Sequence, residues 1–444
     1  MDWLAVAGIL AFAVGLLLSI ALHEIGHLVP AKLFGIKVSQ YMVGFGRTVW
    51  SRRRGETAYG FKAIPLGGYV RMIGMFPPEP GDDPSRLRRA STGPFQALIE
   101  DARRAAKEEL RPGDEERIFY RKAWWKKLIV MLGGPAMNVL IAAVLAGGVL
   151  MAYGNPSAPE LRPVVSEVSA CVIDVADGDR ECTEEDRPTP AAAAGFRPGD
   201  RLVSFDGEPI GSWADMQDLI RAREGGPVEV VVDRGGREVT LTPDLITTER
   251  RALSEPDDDG LRTATDELVT VGFLGVAPTQ AFEPEDIGGA VAWLGDFTAQ
   301  TAQAVISIPQ RMVGVWDAAF GGGDREVDGP IGIVGAGRIG GEIASADVDA
   351  TDRVATFVLL LASFNMAIAL FNLIPLLPLD GGHAAGAVWE GIKRGFARVA
   401  RRPAPRPVDV AKALPVAYGV ATLLIGMSVL LLYADIVNPV RLSG

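Results

Sequence analysis

Four stretches of this 444-residue chain carry no charged side chain over a length that crosses a bilayer: Trp3–Leu22, the run from Leu128 up to Glu160, Val354–Leu379 and Ala413–Ala434. A hydrocarbon layer about 30 Å thick takes about 20 helical residues. Backbone groups inside it find no water, so only helices or closed barrels can cross. The runs are continuous rather than alternating, which predicts helices. The chain is therefore expected to be a multi-pass α-helical membrane protein with four transmembrane helices. The first run could instead be a secretory signal. It has no basic lead-in and no small-residue cleavage site, and it runs straight into His23, so it is read as a retained span.

Charge orients these spans. Between His27 and Leu128 there are twenty Lys and Arg against eleven Asp and Glu, and from Gly381 to Lys412 seven against two. Between the second and third spans there are sixteen basic residues, all Arg, against 38 acidic. Short basic loops stay cytoplasmic. Both basic segments are thus expected inside, and both termini and the acidic block outside, in a cell membrane. The net charge of −11 belongs mostly to that block, which argues against nucleic acid as a partner. The two cysteines, Cys171 and Cys182, both lie there. An oxidising compartment permits a disulfide between them, and two free thiols are the alternative.

The first span ends in His23-Glu24-Ile25-Gly26-His27. On a helix, residues four apart share a face, so both imidazoles can reach one metal ion. The Glu beside the first His stands where it can take a proton from a metal-activated water, the arrangement of a zinc hydrolase. A chance pair of histidines on a core helix is the plain alternative. It is weakened because the whole chain has only three, His23, His27 and His383.

After a helix end near Pro30, Val43–Trp50 and Thr57–Met72 are β-rich runs broken by glycines and by Ser51-Arg52-Arg53-Arg54-Gly55-Glu56. They read as a hairpin region dipping toward the membrane, where an open edge can take an added substrate strand; an ordinary cytoplasmic hairpin is the alternative. The segment 77–123 is charged, with a helical pattern around Phe95–Leu110, and Trp124-Trp125-Lys126-Lys127 reads as an interfacial anchor. Gly133-Gly134-Pro135 follows inside the second span, where small residues let helices approach closely. In the acidic block, Ala194-Gly195, Gly199-Asp200 and Asp206-Gly207 precede a helix pattern over Ser212–Arg223 and strands over Val228–Asp233 and Arg237–Leu241. That order resembles a PDZ domain, which binds chain ends or extended segments by strand addition; a spacer with no ligand is the alternative. Val168–Arg187, rich in Asp and Glu, reads as a disordered insert. Trp293–Trp316 has helical apolar spacing and fits an interfacial amphipathic helix or a helix packed on the acidic block. Gly329 to Gly341 reads as a loop.

The third span ends Phe371-Asn372-Leu373-Ile374-Pro375-Leu376-Leu377-Pro378-Leu379-Asp380-Gly381-Gly382-His383. Two prolines three apart break a regular helix, so the chain is expected to unwind there. The first and third spans run in the same direction, which brings Asp380 to the depth of His23 and His27. Two histidines, one carboxylate and an open position make a catalytic zinc site. His383 is the rival third ligand.

Taken together, H-E-x-x-H in the first span, G-F-G then I-P-L-G-G-Y-V-R-M after it, G-G-P-A-M-N in the second, the PDZ-like block and N-x-x-P-x-x-P-L-D-G-G in the third resemble the bacterial site-2 proteases. The resemblance covers most of the chain in the right order. It implies an intramembrane zinc endopeptidase of regulated intramembrane proteolysis, with Zn2+ held by His23, His27 and Asp380 and Glu24 as general base. It further implies that Asn372, Pro375 and Pro378 position the substrate backbone and that Gly67 and Gly68 present it as an added strand. Single-span membrane proteins such as anti-sigma factors or remnant signal peptides would be the substrates, the lipid bilayer the surroundings, and a PDZ ligand a further partner. Two features depart from the pattern: Gly44-Phe45-Gly46 is followed by Arg47 rather than Pro, and only one PDZ-like block is visible.

The expected domains are 1–30, the first transmembrane helix; 31–76, the membrane-associated β-hairpin region; 77–123, a charged cytoplasmic segment; and 124–155, the second helix. They continue with 156–280, an inserted extracytoplasmic α+β PDZ domain; 281–350, an amphipathic helix and Gly-rich loop; 351–383, the third helix; 384–412, a basic loop; and 413–437, the fourth helix. A PDZ-bearing membrane scaffold with a structural metal, and a membrane-anchored protease with a water-facing site, are the competing functions. Against the first, every expected ligand and the base are present. Against the second, no further ligand signature occurs on an aqueous domain.

Overall fold

The computed structural model describes residues 3–75, 77, 112–155, 159–173, 180, 182–183, 185–254, 262, 264–323, 325, 329–403 and 405–440. The helical pattern expected around Phe95–Leu110 lies outside them. The chain forms two compact units, Met1–Met151 with Asp286–Gly444, and Ala152–Glu285.

In the first unit, Trp3–Leu33, Trp124–Ala152, Ala350–Asn372 and Val410–Val437 are long and apolar enough to cross a membrane. The first two are α1 and α2. Large apolar side chains such as Leu10, Leu18, Leu140, Val144, Leu423 and Ile425 point outward along these helices, as lipid-facing residues do. The helix α1 does not stop at Pro30. Proline removes the donor that would meet the Gly26 carbonyl, yet the helix runs on to Leu33, and the Phe34 N–H then bonds the Pro30 carbonyl at 3.0 Å.

Two long antiparallel strands follow α1, β1 (Val38–Arg54) and β2 (Thr57–Met72). Their register breaks repeatedly. Tyr41, Met42 and Val43 each pair twice, with Val70, Tyr69 and Gly68 on one side and with Tyr59, Gly60 and Phe61 on the other. The start of β1 is therefore an inner rung, and the Gly68–Met72 end of β2 is an edge with no further strand beside it among the described residues. The Tyr41 hydroxyl donates to the Ala21 carbonyl at 2.8 Å, which ties the sheet to α1. Farther along, Arg117 pairs twice with Glu56 at the hairpin turn and Lys37 pairs with Asp114.

The chain leaves α2 for the second unit. There β3 (Glu160–Val168), β4 (Arg201–Phe205), β5 (Glu208–Pro209), β7 (Val230–Asp233), β8 (Glu238–Leu241) and β11 (Val276–Ala281) form one sheet in the order β11-β3-β4-β7-β8, with β5 on β4. A second sheet joins β10 (Ala264–Phe273), β9 (Asp244–Leu253) and β6 (Gly226–Pro227). Two short helices complete the unit. In α3 (Pro190–Ala194) the Thr189 side chain caps the start, Pro stands in the first turn and left-handed Gly195 ends it. In α4 (Trp213–Arg221) Ser212 and Asp215 form a reciprocal capping box. Val165, Phe205, Trp213, Met216, Val230 and Val232 are among the residues of one continuous core. The expected helix and strand pair lie within two residues of their predicted bounds. The expectation of free disorder over Val168–Arg187 does not hold for its described residues: Cys171 and Cys182 are bonded, and Cys171 bridges to Pro188. Residues 174–179, 181 and 184 lie outside the described set.

Back in the first unit, α5 spans Ile287–Phe320, longer than the predicted 293–316. It packs against α7 (Ala350–Asn372) and α9 (Leu414–Val437), so it belongs with the membrane helices. Between them, Ile333–Ser345 is a helix, α6, where a glycine-rich loop was expected. Packing overrides propensity here. A Cβ on Gly8 of α1 would fall on the Gly340 carbonyl and Ala344, so small residues on both sides let the two backbones touch. The third span also ends earlier than expected. The helix stops at Asn372, residues 373–379 form irregular turns around Pro375 and Pro378, and Asp380 opens a new helix, α8 (Asp380–Val399). The expected loop over 384–412 is helical for its first half. The expected interfacial anchor at Lys127 is corrected as well. Lys127 is buried and pairs with buried Glu390 of α8 at 2.5 Å, so it fastens α2 to α8.

Candidate metal centre

His23 and His27 sit one turn apart on α1 and are buried, as is Glu24 between them. Asp380 stands in the first turn of α8, where the helix dipole favours a negative charge. Nε2 of His23 and Nε2 of His27 are 3.3 Å apart, and Oδ2 of Asp380 is 3.3 Å from the first and 3.2 Å from the second. Among the described residues this is the one group of three such side chains whose donor atoms all lie within 4.8 Å of one another.

The other ring nitrogens explain the arrangement. Nδ1 of His27 donates to the Val130 carbonyl at 2.7 Å, and Nδ1 of His23 donates to Oδ1 of Asn138 at 3.1 Å. With both Nδ1 protons so placed, both Nε2 atoms present lone pairs. Two lone pairs and a carboxylate oxygen then converge with no proton between them, an arrangement that a cation stabilises and its absence does not. The spacing matches as well, since ligands on tetrahedral zinc at 2.0–2.1 Å bonds lie about 3.3–3.4 Å apart. Room is made by glycine. A Cβ on Gly134 of α2 would fall on Nε2 of both histidines. Gly26 and Gly133 likewise allow α1 and α2 to meet backbone to backbone. The residues present fit a zinc ion.

A cavity of about 270 Å³ opens on this centre, lined by His23, Glu24, Gly67, Gly68, Asn138, Asn372, Pro378 and Asp380, with Ile20 and Ile368 as apolar walls. Glu24 touches the strand edge, and a Cβ on Gly68 would meet its Cγ at 2.8 Å. Of the residues expected here, Pro375 does not line the cavity. His383, the rival ligand, lies one turn along α8 in a separate pocket with Phe119, Tyr120, Lys127 and Glu390. Asn138 was not expected. The only signal for it was its place at the end of Gly133-Gly134-Pro135-Ala136-Met137-Asn138, a polar residue in an apolar span.

Comparison with known proteins finds metalloproteases. The zinc metalloprotease Rip1 of Mycobacterium bovis is 38% identical over 98% of this chain and 99% of its own. Rip1 of Mycolicibacterium smegmatis is 33% identical over 98% of both, and the metalloprotease MmpA of Caulobacter vibrioides is 27% identical over 84% of both. The profile of peptidase family M50 matches residues 11–408, and the chain belongs to that family.

Proposed function

We propose that this protein is an intramembrane zinc endopeptidase that cuts the transmembrane segments of single-span membrane proteins already trimmed on their outer side. The observation that carries the reading is the convergence of three lone-pair donors, from His23, His27 and Asp380, on a cavity shared with Glu24 and an open strand edge. Names of relatives support zinc and peptide hydrolysis.

Zinc, when bound, lowers the pKa of a water and polarises the carbonyl it meets. Glu24, beside His23 and facing the same cavity, accepts the proton of the attacking water and returns it to the leaving amine. A helical substrate hides its carbonyls in i→i−4 bonds and must unwind first. The Gly68–Met72 edge offers backbone partners in exchange, as in strand addition. Asn372 and Pro378 line the same cavity and hold the extended segment. Pro375 acts indirectly, since a proline there keeps residues 373–379 from continuing α7 and so leaves Asp380 free to open α8.

The Ala152–Glu285 unit is read as an extracytoplasmic PDZ domain, supported by its strand order around α4 and its acidic composition. There it screens substrates by the bulk of their outer part. The basic segments lie in the cytoplasm and both termini outside. Anti-sigma factors and remnant signal peptides have the required single-span form.

The test is Glu24→Gln in the full-length protein. It is expected to keep zinc and fold while cleavage of a model transmembrane substrate falls by about 10²–10⁴-fold. Cleavage equal to that of the unaltered protein sinks the assignment.

A further inference from the structure

Both metal-facing histidines must keep Nε2 unprotonated, and each does so by donating from Nδ1 to an acceptor on α2. For His27 the acceptor is main chain, the Val130 carbonyl; for His23 it is a side chain, Asn138 Oδ1. Asn138 is only 1% exposed and lies inside an apolar span, where a carboxamide without partners is expensive. The tautomer fixes its orientation. Nδ2 turned toward the Nδ1–H of His23 would set two donors face to face, so Oδ1 takes that bond and Nδ2 points elsewhere. Nδ2 has no partner among the described residues, yet Asn138 lines the reaction cavity together with Gly68 and Asn372.

We propose that Asn138 has two arms: Oδ1 holds His23 in the metal-binding tautomer, and Nδ2 donates to a backbone carbonyl of the bound substrate. The proposal rests on the protease reading. Nδ1 and Nε2 stand on opposite sides of the imidazole. With a metal–nitrogen bond near 2 Å and a hydrogen bond near 3 Å, the carboxamide lies roughly 6–8 Å from the metal point. An extended chain advances about 3.3 Å per residue, so the carbonyl it meets is about two residues from the scissile bond. Oδ1 makes Asn138 a positioning residue, and Nδ2 makes it a substrate-binding one.

Two substitutions in the full-length protein separate the arms. Asn138→Ala removes both: zinc affinity, measured by competition with a chelator, should fall about 10–100-fold. With zinc saturating, KM for a model transmembrane substrate should rise about three- to tenfold. Asn138→Asp keeps an acceptor for His23 but has no donor. Its zinc affinity should match or exceed that of the unaltered protein, while KM rises as in the Ala variant. Zinc held by Asn138→Ala as tightly as by the unaltered protein overturns the Oδ1 arm, and an unchanged KM in Asn138→Asp overturns the Nδ2 arm. Should the Ala variant lose its melting transition, Asn138→Leu, close in shape, takes its place for the zinc measurement. An unaltered protein that binds no zinc sinks the protease reading instead, so the two failures are distinct.

Discussion

The two compact units bury opposite things. In Ala152–Glu285 the large side chains are inside: Phe205, Trp213, Met216 and Leu202 close one core. Its buried charge, Asp200, is held by Nε and Nη2 of Arg234 at 2.7 Å each and by the Arg197 N–H at 2.9 Å. In the unit of α1, α2 and α5–α9 the large side chains are mostly outside, and small ones lie between the helices. Its buried polar groups include the metal centre, the Lys127–Glu390 pair, the Arg325–Asp435 pair and the bond from Asn365 to Ser19. Water drives the first arrangement. Lipid removes that drive, so the second depends on close backbone contact and interhelical polar bonds. Enlarging a residue should therefore be the damaging change in one unit, and truncating a residue in the other.

The sharpest way to break this comparison is Gly134→Ala. One methyl group falls on Nε2 of both histidines, so the variant should lose its zinc and with it more than 100-fold of its cleavage rate. Elemental analysis of the purified protein checks it, and full zinc occupancy would overturn the steric reading. Next comes truncation. Phe205→Ala should destabilise its unit by about 3–5 kcal/mol. Leu140→Ala, 56% exposed on α2, should change stability by less than about 0.5 kcal/mol. Hydrogen-exchange protection in each unit measures both, and equal losses would erase the distinction. A loss smaller than that of Phe205→Ala is expected for Asp200→Asn, about 1–3 kcal/mol, because the Arg234 side chain is partly exposed. Burial pushes the Asp200 carboxyl up, but the Arg234 guanidinium and the Arg197 N–H outweigh it and hold it below the ordinary carboxylate range. A lowered native pKa gives stability that is full above the unfolded value near 4 and is lost as pH falls through the native one. Protection around Asp200 should decay below about pH 4 in the unaltered protein, and this acid-dependent part should be missing in the variant. An identical pH profile would show that the pair contributes nothing.

What could be read in advance followed local chemistry. Four uncharged runs, a His pair at helical spacing and a Pro-broken span ending in Asp380 were visible because lipid and metal each demand particular residues at particular spacing. The helix Ile333–Ser345 was not, because seven of its thirteen residues are Gly, Ala or Ser and its stability comes from a partner surface on α1. The helix Asp380–Val399 was hidden behind its basic charge. The β9–β10 pair was missed because six of the ten residues of Asp244–Leu253 are charged or polar and the apolar ones do not alternate along one face. Asn138 and the Lys127–Glu390 pair join residues 115 and 263 positions away from their partners, a distance no local pattern encodes.

The metal centre joins His27 to Asp380 across 353 positions. On a ribosome adding 5–20 residues per second, the second follows the first by roughly 20–70 s. With Asp380 as third ligand, the nascent chain carries two imidazoles and a base through that interval without a complete site. Hydrolysis becomes possible only after α1, the edge strand, α2 and α7 have been made and α8 has begun. A protease of this design is thus silent while its own spans are still passing, unpaired, into the membrane.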